Sequence, residues 1–188
     1  QKNSQREQRL WDLTRSGAFE DQIALRWLSR DEVLHKIDWA RYFTQTGIPV
    51  PEGGSSILHY LVTDNIVKTL DSGQYAVTNL GALLFAANMD DFETVSRKAI
   101  RIIRYSGKDR IAATRSKIFL GGYAYIDGVM DYIQALLPEQ EVIDKGLRVT
   151  MNGYPELAIR ELVGNMLIHQ DLTIRGGGPL VEVFDDRV

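Results

Sequence analysis

One segment of the chain, residues 154–171, predicts a single helix with an unusual distribution of polar side chains. A proline and a glutamate occupy its predicted first turn, where both residue types are favoured. Glu161, Asn165 and His169 then recur every four residues and form a stripe that covers roughly 80° of the helix surface. Burying a carboxylate and an amide without partners is costly. We therefore expect the stripe to face a partly buried site.

Composition sets the outer bounds of the fold. The chain has 188 residues, of which 44% are hydrophobic and 25% charged, and these values are ordinary for a soluble globular protein of one or two domains. No apolar run reaches membrane-spanning length, so we expect no membrane partner and a cytoplasmic location. The absence of cysteine excludes disulfides and thiolate zinc sites, and the three histidines match no zinc-ligand spacing.

Basic residues are concentrated in one stretch, residues 97–117. The stretch has eight basic residues and one acidic residue, a net charge of +7, so the net charge of −3 leaves −10 for the rest of the chain. Residues 98–105 predict a strand that is followed by a turn. Two interpretations stay open: contact with nucleic acid, or a solvated strand face that pairs with acidic residues elsewhere. The candidates for nucleic-acid contact are Arg101, Arg104, Lys108 and Arg110.

The first part of the chain predicts helices followed by a hairpin. Residues 17–27 and 29–45 are predicted as helices, the second beginning with a Ser-x-x-Glu capping box, and a shorter helix ends at Thr63. Residues 66–77 predict a two-stranded hairpin. Helix, helix and two-stranded wing is the order of a winged helix. The shorter helix and the wing offer few DNA-contacting side chains, so we expect an interaction module in preference to a DNA-reading one.

The polar helix and its surroundings resemble a known family. The matching stretches are Pro155-Glu156, Ala158-Ile159-Arg160-Glu161, Asn165, Ile168-His169-Gln170-Asp171, and residues 78–85, 101–110 and 181–188. The spacing within the helix is similar to the N-box of GHKL ATP-binding domains, the superfamily of gyrase B and histidine kinases. More narrowly, the pattern resembles bacterial predicted transcriptional regulators, also described as RecG-helicase-related, which carry a Schlafen/AlbA-type domain and a divergent GHKL-like domain.

The resemblance implies a role for each matched residue. In the GHKL family the N-box asparagine helps to coordinate the magnesium that bridges the nucleotide phosphates, and the glutamate four residues earlier polarises the attacking water. Asn165 would then be the metal ligand, Glu161 the catalytic base, and Asn165, His169 and Asp171 the residues that bind the cofactor. An amide oxygen suits magnesium, which often takes only one or two protein ligands. The alternative is a polar stripe that satisfies neighbouring groups or an interface.

The chain lacks the Asp-x-Gly-x-Gly segment with which GHKL domains read adenine. Residues 185–186 predict a turn after a strand at 180–184, and the chain stops at Val188, before that segment would come. Its first residue is glutamine. We therefore expect an excerpt of a longer protein, in which ATP and Mg²⁺ would be bound by the longer chain and not by this segment, and in which any ATPase activity would need the longer chain.

These observations predict an α+β chain with two parts. Residues 1–88 form a helical, winged-helix-like region, and residues 89–188 form the first part of a GHKL-like α/β sandwich. The predicted function is that of the central region of a bacterial transcriptional regulator with a degenerate or incomplete ATP-binding site. The alternative is a non-enzymatic dimerisation or interaction module, or a winged-helix DNA-binding module. The expected partners are DNA, through the full-length protein, and a second copy of the chain.

Overall fold

The computed structural model describes residues 18–137, 139–144, 147–152, 154–174 and 176–188, and for the second and third of these ranges it describes the backbone only. The chain is α+β, as predicted. No helix in the described part of the chain is long and apolar enough to cross a membrane.

Backbone contacts divide the chain into two compact units. Among the described residues, the first unit runs to Lys98 and includes Leu120–Ala124, and the second comprises Ala99–Phe119 and the residues from Tyr125 onward. The predicted division into a winged-helix-like region, residues 1–88, and a GHKL-like domain, residues 89–188, stays a prediction.

The first unit contains a three-stranded antiparallel sheet. Its strands are β1 (Ile23–Leu28), β2 (Val67–Thr69) and β3 (Tyr75–Thr78), and β3 lies in the middle of the order β1-β3-β2. The hairpin of β2 and β3 confirms the prediction. The predicted helix over residues 17–27 is wrong for its described residues, which form a short 3₁₀ turn at Phe19–Asp21 and then β1.

Pairing with β3 is the reason that this segment is a strand. Ile23 pairs with Thr78 and Leu28 pairs with Tyr75, with register shifts between them. At Trp27 the backbone adopts the left-handed conformation, φ +65°, and the Trp27 carbonyl accepts a hydrogen bond from Gln74 Nε2 at 3.3 Å. These contacts come from residues about fifty positions away, so tertiary pairing overrides a local helical pattern.

The helices of the first unit are α1 (Arg30–Lys36), α2 (Trp39–Thr46), α3 (Gly54–Thr63) and α4 (Asn79–Phe85). The predicted capping box is confirmed, because the Glu32 backbone N–H donates to the Ser29 hydroxyl at 3.3 Å and the Ser29 N–H donates to the Glu32 carboxylate at 2.8 Å.

The predicted single helix over residues 29–45 is wrong, because it is interrupted between α1 and α2. Ile37 has extended backbone angles and forms an isolated bridge with Ala86. Asp38 then caps α2: its carboxylate accepts a hydrogen bond from the Arg41 N–H at 2.9 Å, and its own N–H donates to the Phe85 carbonyl at 2.7 Å. An N-cap aspartate satisfies otherwise unpaired helix donors, which makes a new helix start favourable here.

The core of the first unit packs around two neighbouring aromatic residues of α2. Tyr42 and Phe43 are each 2% exposed, and their rings meet edge to face with 5.0 Å between centroids. The Tyr42 hydroxyl donates to an Asp64 carboxylate oxygen at 2.6 Å. Burial and this hydrogen bond both raise the pKa of Tyr42 above its ordinary value, so the phenol stays protonated and serves as a structural donor.

The second unit contains a mixed three-stranded sheet and a separate hairpin. The strands are β4 (Ile100–Tyr105), β5 (Ala113–Phe119), β6 (Glu139–Asp144), β7 (Leu147–Asn152) and β8 (Leu180–Val183). β4 lies at the centre of the sheet, antiparallel to β5 and parallel to β8, and β6 pairs with β7. The strands predicted at residues 98–105 and 180–184 are therefore confirmed.

Both faces of this sheet bury apolar side chains. Ile102 and Val181 lie opposite each other on one face, which also carries Phe119 of β5. The Phe119 ring contacts Tyr132 of helix α5 (Ile126–Gln134) at 5.6 Å between centroids, so α5 lies against this face. On the opposite face Ile103, Tyr105 and Phe184 form a small core, in which the Tyr105 and Phe184 rings stack at 5.0 Å.

We expect Gly81→Ala to destabilise the protein by about 1–3 kcal/mol, the usual cost of overpacking. A Cβ atom at Gly81 in α4 would lie 2.3 Å from the Ile66 carbonyl oxygen, and backbone atoms there cannot move aside easily. The matched control is Gly128→Ala in α5, where a Cβ meets nothing within 4 Å and helix propensity favours alanine by about 0.5–1 kcal/mol. Urea unfolding of both variants checks this, and equal stability of Gly81→Ala and the wild type would contradict it.

Candidate functional site

The predicted polar helix is present as α6 (Glu156–Ile168). Pro155 is its N-cap and has extended backbone angles, and Glu156 lies in the first turn, where its charge suits the helix dipole. His169 is the C-cap, and its N–H donates to the Asn165 carbonyl at 3.0 Å. The helix is joined to α5 by Arg160, whose guanidinium lies 3.2 Å from the Asp127 carboxylate.

The expectation that the polar stripe faces a partly buried site is wrong. Glu161, Asn165 and His169 are all exposed, whereas α6 packs through Ile159 and Val163, each 3% exposed. At about 100° per residue, the centre of the stripe lies roughly 140° from the centre of the buried face. Two apolar side chains one turn apart are enough to orient the helix, and they turn the stripe outward.

The outward side of α6 also carries three large apolar side chains. Leu157 is 75% exposed, Leu162 61% and Ile168 77%. Exposed apolar residues that occur singly are normal, but three on one side of a single helix form a surface with a preference for contact. The stripe therefore lies among apolar side chains on an open surface.

The structure brings three of the four predicted nucleotide-site residues together on this surface. Within the described residues, the side chains of Glu161, Asn165 and His169 form no hydrogen bond or ion pair. Asp171 lies beyond the helix end, where its carboxylate oxygen accepts hydrogen bonds from the Thr173 N–H at 2.9 Å and the Thr173 hydroxyl at 2.5 Å. Asp171 therefore has a structural role in the turn that follows α6.

The described residues contain no group of three or more histidine, aspartate or glutamate side chains that could hold a metal ion. A magnesium ion carried by nucleotide phosphates needs fewer protein ligands, often one or two oxygens. The exposed Asn165 amide, with Glu161 one turn earlier on the same helix, fits that smaller requirement.

Arg104, a predicted nucleic-acid contact, is bound instead to the C-terminal end of the sheet. Its guanidinium donates to the Asp185 carboxylate at 2.5 Å and to the Val183 carbonyl at 3.3 Å, and it also contacts the Tyr105 carbonyl. The other Asp185 oxygen accepts the Gly107 N–H at 2.6 Å. These two hydrogen bonds, that of Arg104 first, hold the pKa of Asp185 below its ordinary value.

Lys108 and Arg110 have acidic partners as well. The Lys108 ammonium lies 3.6 Å from the Asp186 carboxylate, and Arg110 forms an ion pair with Glu182. Arg101, the fourth candidate, is exposed and has no ion-pair partner among the residues that the structure describes. The structure thus favours the second interpretation of the basic stretch, pairing with acidic residues elsewhere, for three of the four candidates.

The sequence indicated the acidic partners of these cations only through its overall charge distribution, a basic stretch in an otherwise acidic chain. Glu182, Asp185 and Asp186 lie more than seventy residues after the arginines and lysine that they bind, and nothing local identifies them as partners. The turn at 185–186 was predicted, and a hydrogen bond from the Phe184 N–H to the Arg187 carbonyl closes it at 2.8 Å.

The predicted wing also offers little free positive charge. The Lys68 ammonium donates to the Asp21 carbonyl at 2.9 Å, and α3 carries no lysine or arginine. The predicted wing and α3 therefore offer few of the side chains with which a sequence-reading module contacts DNA.

Comparison with known proteins adds no identification. A scan against protein-family models finds no match, and searches of curated proteins and of solved structures find none either.

We expect the protein to bind duplex DNA weakly and with strong salt dependence, with a Kd no tighter than about 10⁻⁶ M at physiological salt. Replacing the three acidic partners by amides, in the variant Glu182→Gln/Asp185→Asn/Asp186→Asn, should free three cations and tighten binding by roughly tenfold at low salt. Fluorescence anisotropy over a salt series measures both effects.

The matched control removes three exposed carboxylates from the first unit, in the variant Glu52→Gln/Asp71→Asn/Glu93→Gln. Its net charge changes by the same amount, but it frees no cation. Equal tightening in both variants would mean that net charge alone acts, and nanomolar, sequence-selective binding by the wild type would contradict the prediction outright.

The Arg104–Asp185 contact predicts a specific pH dependence. A lowered folded-state pKa means that this contact stabilises the fold above the unfolded pKa, about 4, and that the contribution is lost as pH falls through the folded pKa. Carboxyl NMR titration should place the Asp185 pKa of the wild type below that of an aspartate in an unfolded chain, and Arg104→Gln should raise it. An ordinary Asp185 pKa in the wild type would show that the contact does not form in solution.

Proposed function

We infer that this chain is the central region of a bacterial transcriptional regulator of the kind that it resembles. In this proposal, the second unit supplies the phosphate side of a degenerate GHKL-type ATP-binding site. The observation that carries the proposal is the exposed stripe of Glu161, Asn165 and His169, whose side chains are free among the described residues and project from a regular helix.

The architecture of the second unit supports this proposal. A helix–hairpin–helix segment connects β5 to β8, and β8 returns to pair in parallel with β4. Helix α5 lies against one face of the resulting sheet, and α6 is linked to α5 by the ion pair of Arg160 with Asp127. A mixed sheet with one helix against a face and a second helix beside the first is compatible with the first part of a GHKL-like sandwich.

The first unit has features in common with a winged helix. A strand, helices and a two-stranded hairpin follow one another, and the first strand adds to the hairpin in the order β1-β3-β2. Few cations are free on α3 and the hairpin, so a packing or interaction role is a better fit than direct DNA reading.

A specific observation favours a second candidate function, a dimerisation or interaction module. The exposed side chains of Leu157, Leu162 and Ile168 would gain by burial against a second copy of the chain. In that case the polar stripe would have to find hydrogen-bond partners in the interface, because buried polar groups without partners are costly.

The chemistry expected at the stripe follows from its residue types. Magnesium supplies charge neutralisation at the nucleotide phosphates when it is bound. The Asn165 amide oxygen would contribute one ligand to it, and the Glu161 carboxylate, four residues earlier, would accept a proton from water or orient it. The absence of an adenine-reading segment means that this chain would hold the phosphates alone.

We expect Mg²⁺-ATP to bind this chain no more tightly than millimolar, about −4 kcal/mol, and to shift the backbone NMR signals of α6. Asn165→Ala should remove the magnesium dependence of these shifts, whereas Glu161→Gln should leave binding intact because it keeps the shape of the side chain. Both residues are exposed without partners among the described residues, so each variant should unfold within about 0.5 kcal/mol of the wild type.

As a control, titrating the wild-type protein with ATP in the presence of a magnesium chelator separates the effect of the metal from the effect of the nucleotide's charge. Shifts confined to other elements, or micromolar binding that neither variant changes, would show that the nucleotide site lies elsewhere. If concentration-dependent self-association broadens the α6 signals without nucleotide, the dimerisation function is supported instead.

A further inference from the structure

Strand β5 has an open edge that the proposed nucleotide site does not use. It is the outermost strand of its sheet, it is seven residues long, and every residue from Ala113 to Ile118 is exposed. Among the described residues, its backbone forms hydrogen bonds with β4 and with no second strand. Such an edge presents a row of backbone donors and acceptors to any extended chain that approaches it.

The side chains of β5 alternate between cationic and uncharged. Arg115 and Lys117 lie on the face that also carries Phe119, and Ser116 and Ile118 lie on the other. The Lys117 ammonium is held 4.5 Å from the Phe119 ring centroid and 4.7 Å from that of Tyr132. Cation–π contacts of this kind fix the position of an ammonium group without neutralising its charge.

The charges on β5 disfavour pairing with a second copy of the same strand and favour pairing with an acidic strand. If a second copy of β5 paired antiparallel about Ser116, Arg115 would stand opposite Lys117, and like charges directly opposite are destabilising. A strand with carboxylates at alternate positions would place them opposite the same two side chains. Its uncharged positions would then meet Ser116 and Ile118, which is 53% exposed.

We propose that β5 is a strand-addition site for an extended acidic segment of a partner protein, with acidic and aliphatic residues alternating. Main-chain hydrogen bonds along the edge supply affinity, and the alternation of Arg115, Ser116, Lys117 and Ile118 supplies register. Nucleic acid fits less well, because only two cations lie on the strand and they alternate with uncharged side chains.

The test uses a fluorescein-labelled peptide, Glu-Val-Glu-Val-Glu-Val-Glu, and fluorescence anisotropy. We expect saturable binding that weakens roughly tenfold for a peptide of the same composition in two blocks, four glutamates followed by three valines. N-methylation of alternate peptide amides tests the main chain directly. Methyl groups on one alternate set should abolish binding, and those on the other set should be tolerated, because only one edge of the peptide faces β5.

The protein variant Arg115→Glu/Lys117→Glu should weaken binding of the alternating peptide by roughly tenfold or more. Its control is Arg26→Glu/Arg97→Glu, which changes the net charge equally at exposed positions of the first unit and should bind as the wild type does. Circular dichroism confirms that both variants are folded, and the N-methylated peptides test the wild-type protein without any substitution.

Three results would overturn the proposal. Equal binding of the alternating and block peptides would reduce the interaction to net charge. Equal tolerance of both N-methylated sets would exclude strand addition. Binding of single-stranded DNA that depends on Arg115 and Lys117, without peptide binding, would make the surface a nucleic-acid contact.

Discussion

The contact between Arg104 and Asp185 joins residues 81 positions apart and lies at the carboxyl end of the β4–β8 pair, on which the sheet of the second unit depends. Arg104 lies on the middle strand, directly opposite Arg115 of β5, in a like-charge pair that would be unfavourable alone. Its guanidinium turns instead toward β8, where it reaches the Asp185 carboxylate and the Val183 carbonyl. Parallel strands need a long crossover, and this contact stabilises the carboxyl end of the pair that the crossover connects.

Contacts of this kind also neutralise part of the positive charge of residues 97–117. Because β8 and the residues that follow it supply acidic partners, the positive charge of Arg104, Lys108 and Arg110 is largely compensated within the unit. Four cations of this stretch form no ion pair with any residue that the structure describes: Arg97, Arg101, Arg115 and Lys117. A net charge of +7 over residues 97–117 therefore overstates the number of cations that are unpaired among the described residues and available to phosphate.

Features governed by local interactions were predictable from the sequence. The Ser29 capping box, the β2–β3 hairpin and the helix after Pro155 each depend on neighbours within a few residues. The strand at residues 180–184 pairs with β4 about eighty residues earlier, but its own apolar pattern was enough to indicate a strand. β1 was not predictable in this way, because its conformation depends on pairing with β3 about fifty residues later. The break at residues 37–38 likewise depends on the Phe85 carbonyl, to which the Asp38 N–H donates.

The orientation of α6 was the most consequential error at the candidate site. The helical period gives the angles between side chains, but apolar residues occur all round this helix, so the period cannot identify the side that packs. Ile159 and Val163 are buried, whereas Leu157 and Leu162, equally apolar, are exposed. Which pair is buried depends on the elements that α6 packs against, among them α5, which it meets through contacts such as that of Arg160 with Asp127.

The composition of the exposed side of α6 bears on the choice between its two candidate functions. Leaving a leucine or isoleucine exposed forgoes about 1.5–3 kcal/mol relative to full burial, and α6 does so at Leu157, Leu162 and Ile168. A dimer interface would recover that free energy but would bury Glu161 and Asn165, which would then require partners in the second copy. A nucleotide site uses both kinds of side chain at once, since ligand sites combine an apolar lining with a few polar groups that fix orientation. The mixture of free polar groups and exposed apolar side chains on one helix surface is therefore compatible with either function, and the two differ in whether the polar groups would need partners from a second copy of the chain.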